Sequence, residues 1–282
     1  MIVSKLIDDV IERALREDLA GGDPTTEATV SEDTVAVGRA IARSALVACG
    51  SDVFARVFYT LDPSLRVEEL IEDGTSVSAG EVLWLVEGSA RSLLMAERTA
   101  LNFAQRMSGI ATLCRSFVNA LPSNGKTRIA DTRKTTPGLR HLERYAVRVG
   151  GAFNHRDMLG SAVLIKDNHI EAAGSIGTAI QRARQRCPHT ARIEIEVESL
   201  QQLDEALAAG ADIVLLDNFA PEQLDAAVQR AAGKAIIEVS GSVTVQRVAE
   251  LASRGVDVIS VGALTHSAPA ADIALEIERI GS

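Results

Sequence analysis

From residue 128 onward the chain repeats one unit: a short apolar run, then a longer stretch in which apolar positions recur every three or four residues. A chain that makes a helix between successive strands cannot fold them into hairpins. This rhythm therefore predicts βα units joined into a parallel sheet. Seven runs fit the pattern, at 128–132, 147–151, 162–166, 193–197, 212–216, 235–239 and 257–261. Several end in polar or glycine residues: Asp131-Thr132-Arg133-Lys134, Lys166-Asp167-Asn168, Asp217-Asn218, Ser240-Gly241-Ser242 and Gly262-Ala263. In a β/α barrel the chemistry gathers at the C-terminal strand ends, so these tails are expected to converge on one mouth. Seven strands are one short of a complete barrel. The competing architecture is a doubly wound open sheet, but no GxGxxG follows an early strand to support it.

The first part of the chain reads differently. Ile2, Leu6, Ile7, Val10, Ile11, Ala14 and Leu15 make the stripe of an amphipathic helix ending near Gly21-Gly22. A turn-rich Asp23-Pro24-Thr25-Thr26 stretch follows, then β-like runs at 34–42, 45–49, 66–71 and 81–87 with a helix near 51–61. A helical pattern from Ser89 runs toward Gly109, a second helix is expected to reach Leu121, and Pro122-Ser123-Asn124-Gly125 marks a boundary. The expectation is a small α+β domain over 1–121 and a β/α domain over 122–282.

Composition narrows the function. With 46% hydrophobic and 24% charged residues the chain reads as an ordinary globular protein. No apolar run approaches the roughly 18 residues of a membrane helix. Asp8, Asp9, Glu12, Glu17 and Asp18 near the start contradict a secretory signal, so the expected location is the cytoplasm. Cys49, Cys114 and Cys187 are too few and too scattered for a disulfide framework or a zinc site. A net charge of −9 and 3% aromatics disfavour nucleic acid and acidic membrane as partners. Yet Lys126 to His169 holds nine Lys/Arg against four Asp/Glu, a net of +5. Several of these cations adjoin strand-like runs, which points to an anion site rather than a solvated helix face.

Two constellations meet at the expected mouth. Arg133, Lys134, His155, Arg156 and Lys166 form a basic side suited to a ligand with several anionic groups, with His155 able either to titrate near neutrality or merely to donate a hydrogen bond. Opposite them, Ile193-Glu194-Ile195-Glu196-Val197-Glu198 alternates strictly, placing three carboxylates on one face of a strand. Like charges in such a place demand a cation nearby, whether lysine, Mg²⁺ or hydroxyl donors of a sugar, and Asp217 at the next strand end could join them. The glycine-containing tails Ser240-Gly241-Ser242 and Gly262-Ala263 sit where barrels build phosphate sites, although glycine after a strand is as often only a turn.

The ordered fragments Glu17-Asp18 with Gly22-Asp23, Glu97-Arg98-Thr99-Ala100-Leu101-Asn102, Ser108-Gly109-Ile110-Ala111-Thr112 and Asp131-Thr132-Arg133-Lys134-Thr135-Thr136-Pro137-Gly138 run along this chain. Asn154-His155-Arg156, Leu164-Ile165-Lys166-Asp167-Asn168-His169, Leu216-Asp217-Asn218-Phe219 and Ser260-Val261-Gly262-Ala263-Leu264-Thr265 continue the series. Together they resemble the quinolinate phosphoribosyltransferase family over nearly the whole length. The resemblance implies an N-terminal α+β sandwich domain and an incomplete seven-stranded parallel β/α barrel, with the C-terminal tail able to return to the N-terminal domain. It also implies a homodimer in which Arg98 reaches the partner's site. By motif position, Arg133, His155, Arg156 and Lys166 would bind the two quinolinate carboxylates. Lys134 would lie between that acid and pyrophosphate. Glu196 and Asp217 would meet the ribose hydroxyls and the Mg²⁺ of phosphoribosyl pyrophosphate, directly or through water. The tails Ser240-Gly241-Ser242 and Gly262-Ala263 would take the 5′-phosphate. Ala152, Ser161 and Ser242 depart from the family pattern, which has glycine, aspartate and glycine there.

The implied reaction is attack of the pyridine nitrogen on C1 of the phosphoribosyl group, departure of pyrophosphate and loss of the ring 2-carboxylate as CO₂. Lys134, Lys166, Glu196 and Asp217 would be the catalytic groups. Three alternatives remain at this stage: transfer to a related pyridine acid, a Schiff-base aldolase using Lys166 at a strand end, and a non-catalytic binder of phosphoribosyl pyrophosphate.

Overall fold

The computed structural model describes residues 4–280. The chain divides into two compact units and crosses between them four times. The first unit runs to Arg115 and takes in Thr135–Gly151 and the segment from Leu264 on; the second is Ser116–Lys134 with Ala152–Ala263. The tail from Leu264 groups with the first unit, and so does Thr135–Gly151, a segment that the expected division after residue 121 did not separate.

In the first unit, α1 (Ser4–Leu19) buries Ile7, Ile11 and Leu15, the four-residue steps of the expected stripe. Ile2 lies outside the described residues. The Asp23-Pro24 turn is instead the start of a short helix, α2 (Pro24–Thr29): the Asp23 carboxylate accepts the Thr26 N–H at 3.0 Å and proline occupies the first helical turn. Next come β1 (Val35–Ala42), β2 (Leu46–Val47), α3 (Ser51–Leu61), β3 (Arg66–Glu69), β4 (Ser76–Val77) and β5 (Val82–Ser89). Phe54 and Phe58 of α3 stack edge-on at 5.0 Å, and Phe54 lies 4.8 Å from Trp84 of β5, the centre of this core.

The stretch read as two helices is one, α4 (Ala90–Asn119), of 30 residues. Gly109 looks like a break but is a crossing point: a Cβ there would stand 2.0 Å from the Pro269 carbonyl oxygen.

Beyond α4 lie β6 (Arg128–Ala130) and α5 (Arg140–Val149). The strand expected at 147–151 is therefore the end of a helix. Leu142, Glu143, Ala146 and Val147 are its buried face, so the short β-branched run belonged to a stripe of helical period.

The second unit completes a parallel sheet. It adds β7 (Val163–Ile165), α6 (Asp167–Ala173), α7 (Ile176–Arg186), β8 (Ile193–Val197), α8 (Leu200–Ala208), β9 (Ile213–Asp217), α9 (Pro221–Ala231), β10 (Ile236–Ser240), α10 (Val245–Ser253) and β11 (Val258–Ser260). The strand order is β6-β11-β10-β9-β8-β7, all neighbours parallel. A single parallel bridge from Ala130 to Phe153 occupies the seventh place, beyond β6. The incomplete barrel is thus six strands and one bridge, open between that edge and β7. Buried Val214, Leu215 and Leu216 show why β9 reads as an unbroken apolar run: both faces of a parallel sheet are covered.

After α11 (Ala263–His266) the chain forms β12 (Ile273–Arg279), antiparallel to β1 over seven residue pairs from Ala36↔Arg279 to Ala42↔Ile273. The first unit's sheet has the order β12-β1-β5-β3, beside the small β2-β4 pair. Among the described residues no helix is long and apolar enough to cross a membrane.

Candidate active site

The C-terminal ends of the second unit's strands surround a cavity of about 380 Å³, within the size range of small-ligand sites. Arg133 and Lys134 follow β6, His155 and Arg156 follow the Phe153 bridge, Lys166 follows β7, Glu196 lies on β8, and Asp217 and Ser240 end β9 and β10. All eight line it. The expected convergence of strand tails is present, and it brings cations and carboxylates into one cavity.

Glu196 and Glu194 each meet a basic side chain. The Lys166 ammonium is ion-paired with Glu196, the half-buried carboxylate of the alternating strand. Glu194, two residues earlier and 4% exposed, meets His155 Nε2 at 3.2 Å, while Glu198 turns to solvent. Burial, then the repulsion of Glu196, raises the Asp217 pKa, against the pull of Lys166 and Lys134.

The basic side is built under tension. Burial and the neighbouring Arg133 charge lower the Arg156 pKa, and the Nε atoms of Arg133 and Arg156 are buried without a hydrogen-bond partner. Two guanidiniums that repel each other and keep buried donors unsatisfied are stabilised by an anion placed between them.

Beneath them lies a network that sequence reasoning missed. Asp131, fully buried, accepts the His155 backbone N–H at 2.6 Å and the Asn154 side-chain amide at 2.7 Å. Glu238 of β10, also buried, lies 3.4 Å from His155 Nε2. The signal for Glu238 was available: it is the lone acid in the apolar run Ile236-Ile237-Glu238-Val239. Burial disfavours a charged His155 ring, but Glu194 and Glu238 outweigh that and push its pKa up to about 10. Burial likewise raises Glu194. The Arg156 backbone N–H donates to His155 Nδ1 at 2.7 Å, so the N–H of the ring lies on Nε2, toward Glu194 and Glu238.

The tail after β10 frames a smaller cavity of about 130 Å³, lined by Asn218, Ser240, Gly241, Ser242 and Arg247 among others. Asn218 and Ser242 have φ of 53° and 43°, the left-handed region that non-glycine residues seldom occupy. Gly241 has φ 100°, and a Cβ there would lie 2.4 Å from Asn218 Oδ1, so any larger residue strains the backbone and displaces that side chain. Gly262 and Ala263, at the turn from β11 into the next helix, line neither cavity. Arg98 stands exposed on α4 of the first unit and is likewise not a lining residue. Thr132 and Ser260 line the larger cavity and were not anticipated as ligand groups.

An incomplete parallel β/α barrel that gathers cations and carboxylates at its strand ends is suited to a ligand carrying both anionic groups and hydroxyls. The chain matches the family models for the quinolinate phosphoribosyl transferase N-terminal domain over residues 23–108 and C-terminal domain over 110–276, and it belongs to that family. It is 46% identical over 276 residues to the nicotinate-nucleotide pyrophosphorylase [carboxylating] of Mycobacterium leprae, covering 95% of this chain and 96% of the relative. The human protein of the same name is 41% identical over 240 residues, covering 84% and 80% respectively. Among solved structures, that of NadC from Streptococcus pyogenes superposes with a TM-score of 0.95 at 40% identity, covering 100% of this chain and 99% of the other.

Proposed function

We propose that the protein transfers the phosphoribosyl group of phosphoribosyl pyrophosphate to quinolinate with decarboxylation, giving nicotinate mononucleotide, pyrophosphate and CO₂ on the route to NAD. The observation that carries this reading is the shared cavity of Arg133, Arg156 and Lys166 with Glu196 and Asp217. A dicarboxylate needs the first set; a ribose that becomes cationic at C1 needs the second.

Arg133, Arg156 and Lys166 hold the two ring carboxylates, with His155 beneath them. The pyridine nitrogen is thereby aimed at C1, which is positioning work. The N–C1 bond forms as the C1–O bond to pyrophosphate breaks. Glu196 and Asp217 stabilise the positive charge developing on the ribose, and Lys134 accompanies the departing pyrophosphate. When CO₂ departs, the electron pair of the broken bond stays on C2, stabilised by the adjacent positive ring nitrogen, and C2 then takes a proton from solvent. Ser240, Gly241 and Ser242, with Gly262 and Ala263, receive the 5′-phosphate. Glu196 and Asp217, adjacent hard oxygen donors, fit Mg²⁺, which when bound supplies neutralisation of the pyrophosphate charge.

Lys166 is engaged by Glu196 rather than standing unpaired at its strand end as a Schiff-base nucleophile would. We place the contact face of a homodimer on the second unit's surface at the barrel opening, with Arg98 of one protomer entering the other's site; the 48%, 53% and 71% exposure of the apolar Phe153, Met158 and Leu159 supports this reading. The reaction belongs in the cytoplasm. The deciding assay mixes protein, Mg²⁺ and phosphoribosyl pyrophosphate with quinolinate or nicotinate in parallel. Release of CO₂ with the mononucleotide from quinolinate is expected; product from nicotinate alone would move the protein to the non-decarboxylating reaction.

A further inference from the structure

His155 lines the cavity, yet neither of its ring nitrogens is free to serve a ligand there. Nδ1 accepts the Arg156 amide proton at 2.7 Å. A ring nitrogen that accepts an N–H carries no proton of its own, so the proton of the ring sits on Nε2. Nε2 points at Glu194 and Glu238, 3.2 and 3.4 Å away on two different strands. The ring is therefore tied at both ends within the protein.

The same tautomer disposes of an obvious alternative. His155 Nε2 and carboxylate oxygens of Glu194 and Glu238 lie within 4.8 Å of one another, a spacing that could hold a metal ion. A metal on Nε2 would need its lone pair and would move the proton to Nδ1. That position is closed by the Arg156 amide.

The ring is one of three anchors on a single short turn. Asp131 accepts the His155 N–H at 2.6 Å from below, and the Arg156 side chain is held at its far end by the Ala162 carbonyl at 3.1 Å. Between these ties Arg156 keeps its Nε buried and unpartnered. An arginine recognises a carboxylate through a planar fork, so its aim depends on where its backbone is fixed. We propose that His155 is a positioning residue for Arg156 rather than a ligand of the acceptor acid, its ring braced by Glu194 and Glu238 so that Nδ1 holds the Arg156 backbone in place. This rests on the reading of the cavity as the acceptor-acid site.

Two conservative variants separate the roles. In His155→Asn the side-chain oxygen stands near the position of Nδ1 and can still accept the Arg156 amide. In His155→Gln the polar group stands near the position of Nε2 and the amide loses its acceptor. The expected result is a quinolinate KM within about threefold of the parent for His155→Asn and raised roughly tenfold for His155→Gln, the loss of one neutral hydrogen bond. The KM for phosphoribosyl pyrophosphate should move little in either. The reverse order, or equal rises, would overturn the proposal. Nitrogen NMR of the unsubstituted protein, with the resonances assigned through His155→Asn, gives a readout independent of turnover. A bare Nδ1 and a protonated Nε2 are expected with and without quinolinate, and a protonated Nδ1 contradicts the idea. Absence of turnover in the parent protein would instead fault the cavity's assignment, and the nitrogen spectrum would still decide the ring.

Discussion

Arg133 and Gly241 show two ways in which one residue can matter to the same site. Arg133 supplies charge, and its buried Nε lacks a partner within the protein. Arg133→Ala should raise the quinolinate KM by about 10- to 150-fold, the roughly 1.5–3 kcal/mol of a charge-assisted hydrogen bond, with an unchanged unfolding curve. Unaltered steady-state kinetics would remove Arg133 from the site. Gly241 supplies space instead. Gly241→Ala pushes a Cβ against Asn218 at a φ of 100°, so the loop must shift. Its expected signature is a raised KM for phosphoribosyl pyrophosphate with that for quinolinate nearly unchanged. Much of this was legible in the sequence, because cations after strands and alternating acids are local patterns. Glu238 and Asp131 were not, since a single acid in an apolar run declares burial but not the partner that makes burial tolerable. The roles of His155 and of the Glu194 beside it were hidden for the same reason: which nitrogen faces which carboxylate depends on strands distant in the chain.

At the scale of elements, the parallel strands were readable where buried β-branched runs are bounded by polar tails. They were misread at 147–151, where Val147 and Val149 end a helix whose earlier apolar residues lie a turn apart. Likewise the Gly109 that looked like a helix break is explained only by Pro269, a residue 160 positions on. Helix α4 also carries Arg106, which pairs with fully buried Glu143 of α5 at 2.7 Å and donates to the Ala268 carbonyl at 2.9 Å. Glu143 in turn accepts the Thr136 N–H at 3.1 Å. Two segments of the first unit thus meet at one carboxylate, and Arg106 ties in the third through the Ala268 carbonyl. Glu143→Ala should destabilise by about 3 kcal/mol, because an arginine is left largely buried and unpaired. Urea unfolding checks this, and the double variant with Arg106→Ala should lose less than the sum of the two single losses.

For the whole molecule, the interlaced path was the least legible feature, since Pro122-Ser123-Asn124-Gly125 marks a turn but not which unit each later segment joins. Assembly is open to test at Leu159, 71% exposed near the barrel opening. On the proposed homodimer, Leu159→Glu should shift the protein toward monomer in sedimentation and, by separating Arg98 from the other protomer's site, reduce turnover. A dimer of unchanged stability would rule out this face. The pairing of β1 with β12 bears on synthesis. Arg39 and its partner Glu278 are 239 residues apart, so a nascent chain emerging at about 5–20 residues per second waits on the order of ten to fifty seconds before the strand that covers β1 exists. During that interval β1 presents a bare edge, the kind of template on which neighbouring polypeptides on a polysome would stack. Truncations lacking β12 should therefore collect in inclusion bodies, and slowing translation should raise the demand for chaperones that cap such edges.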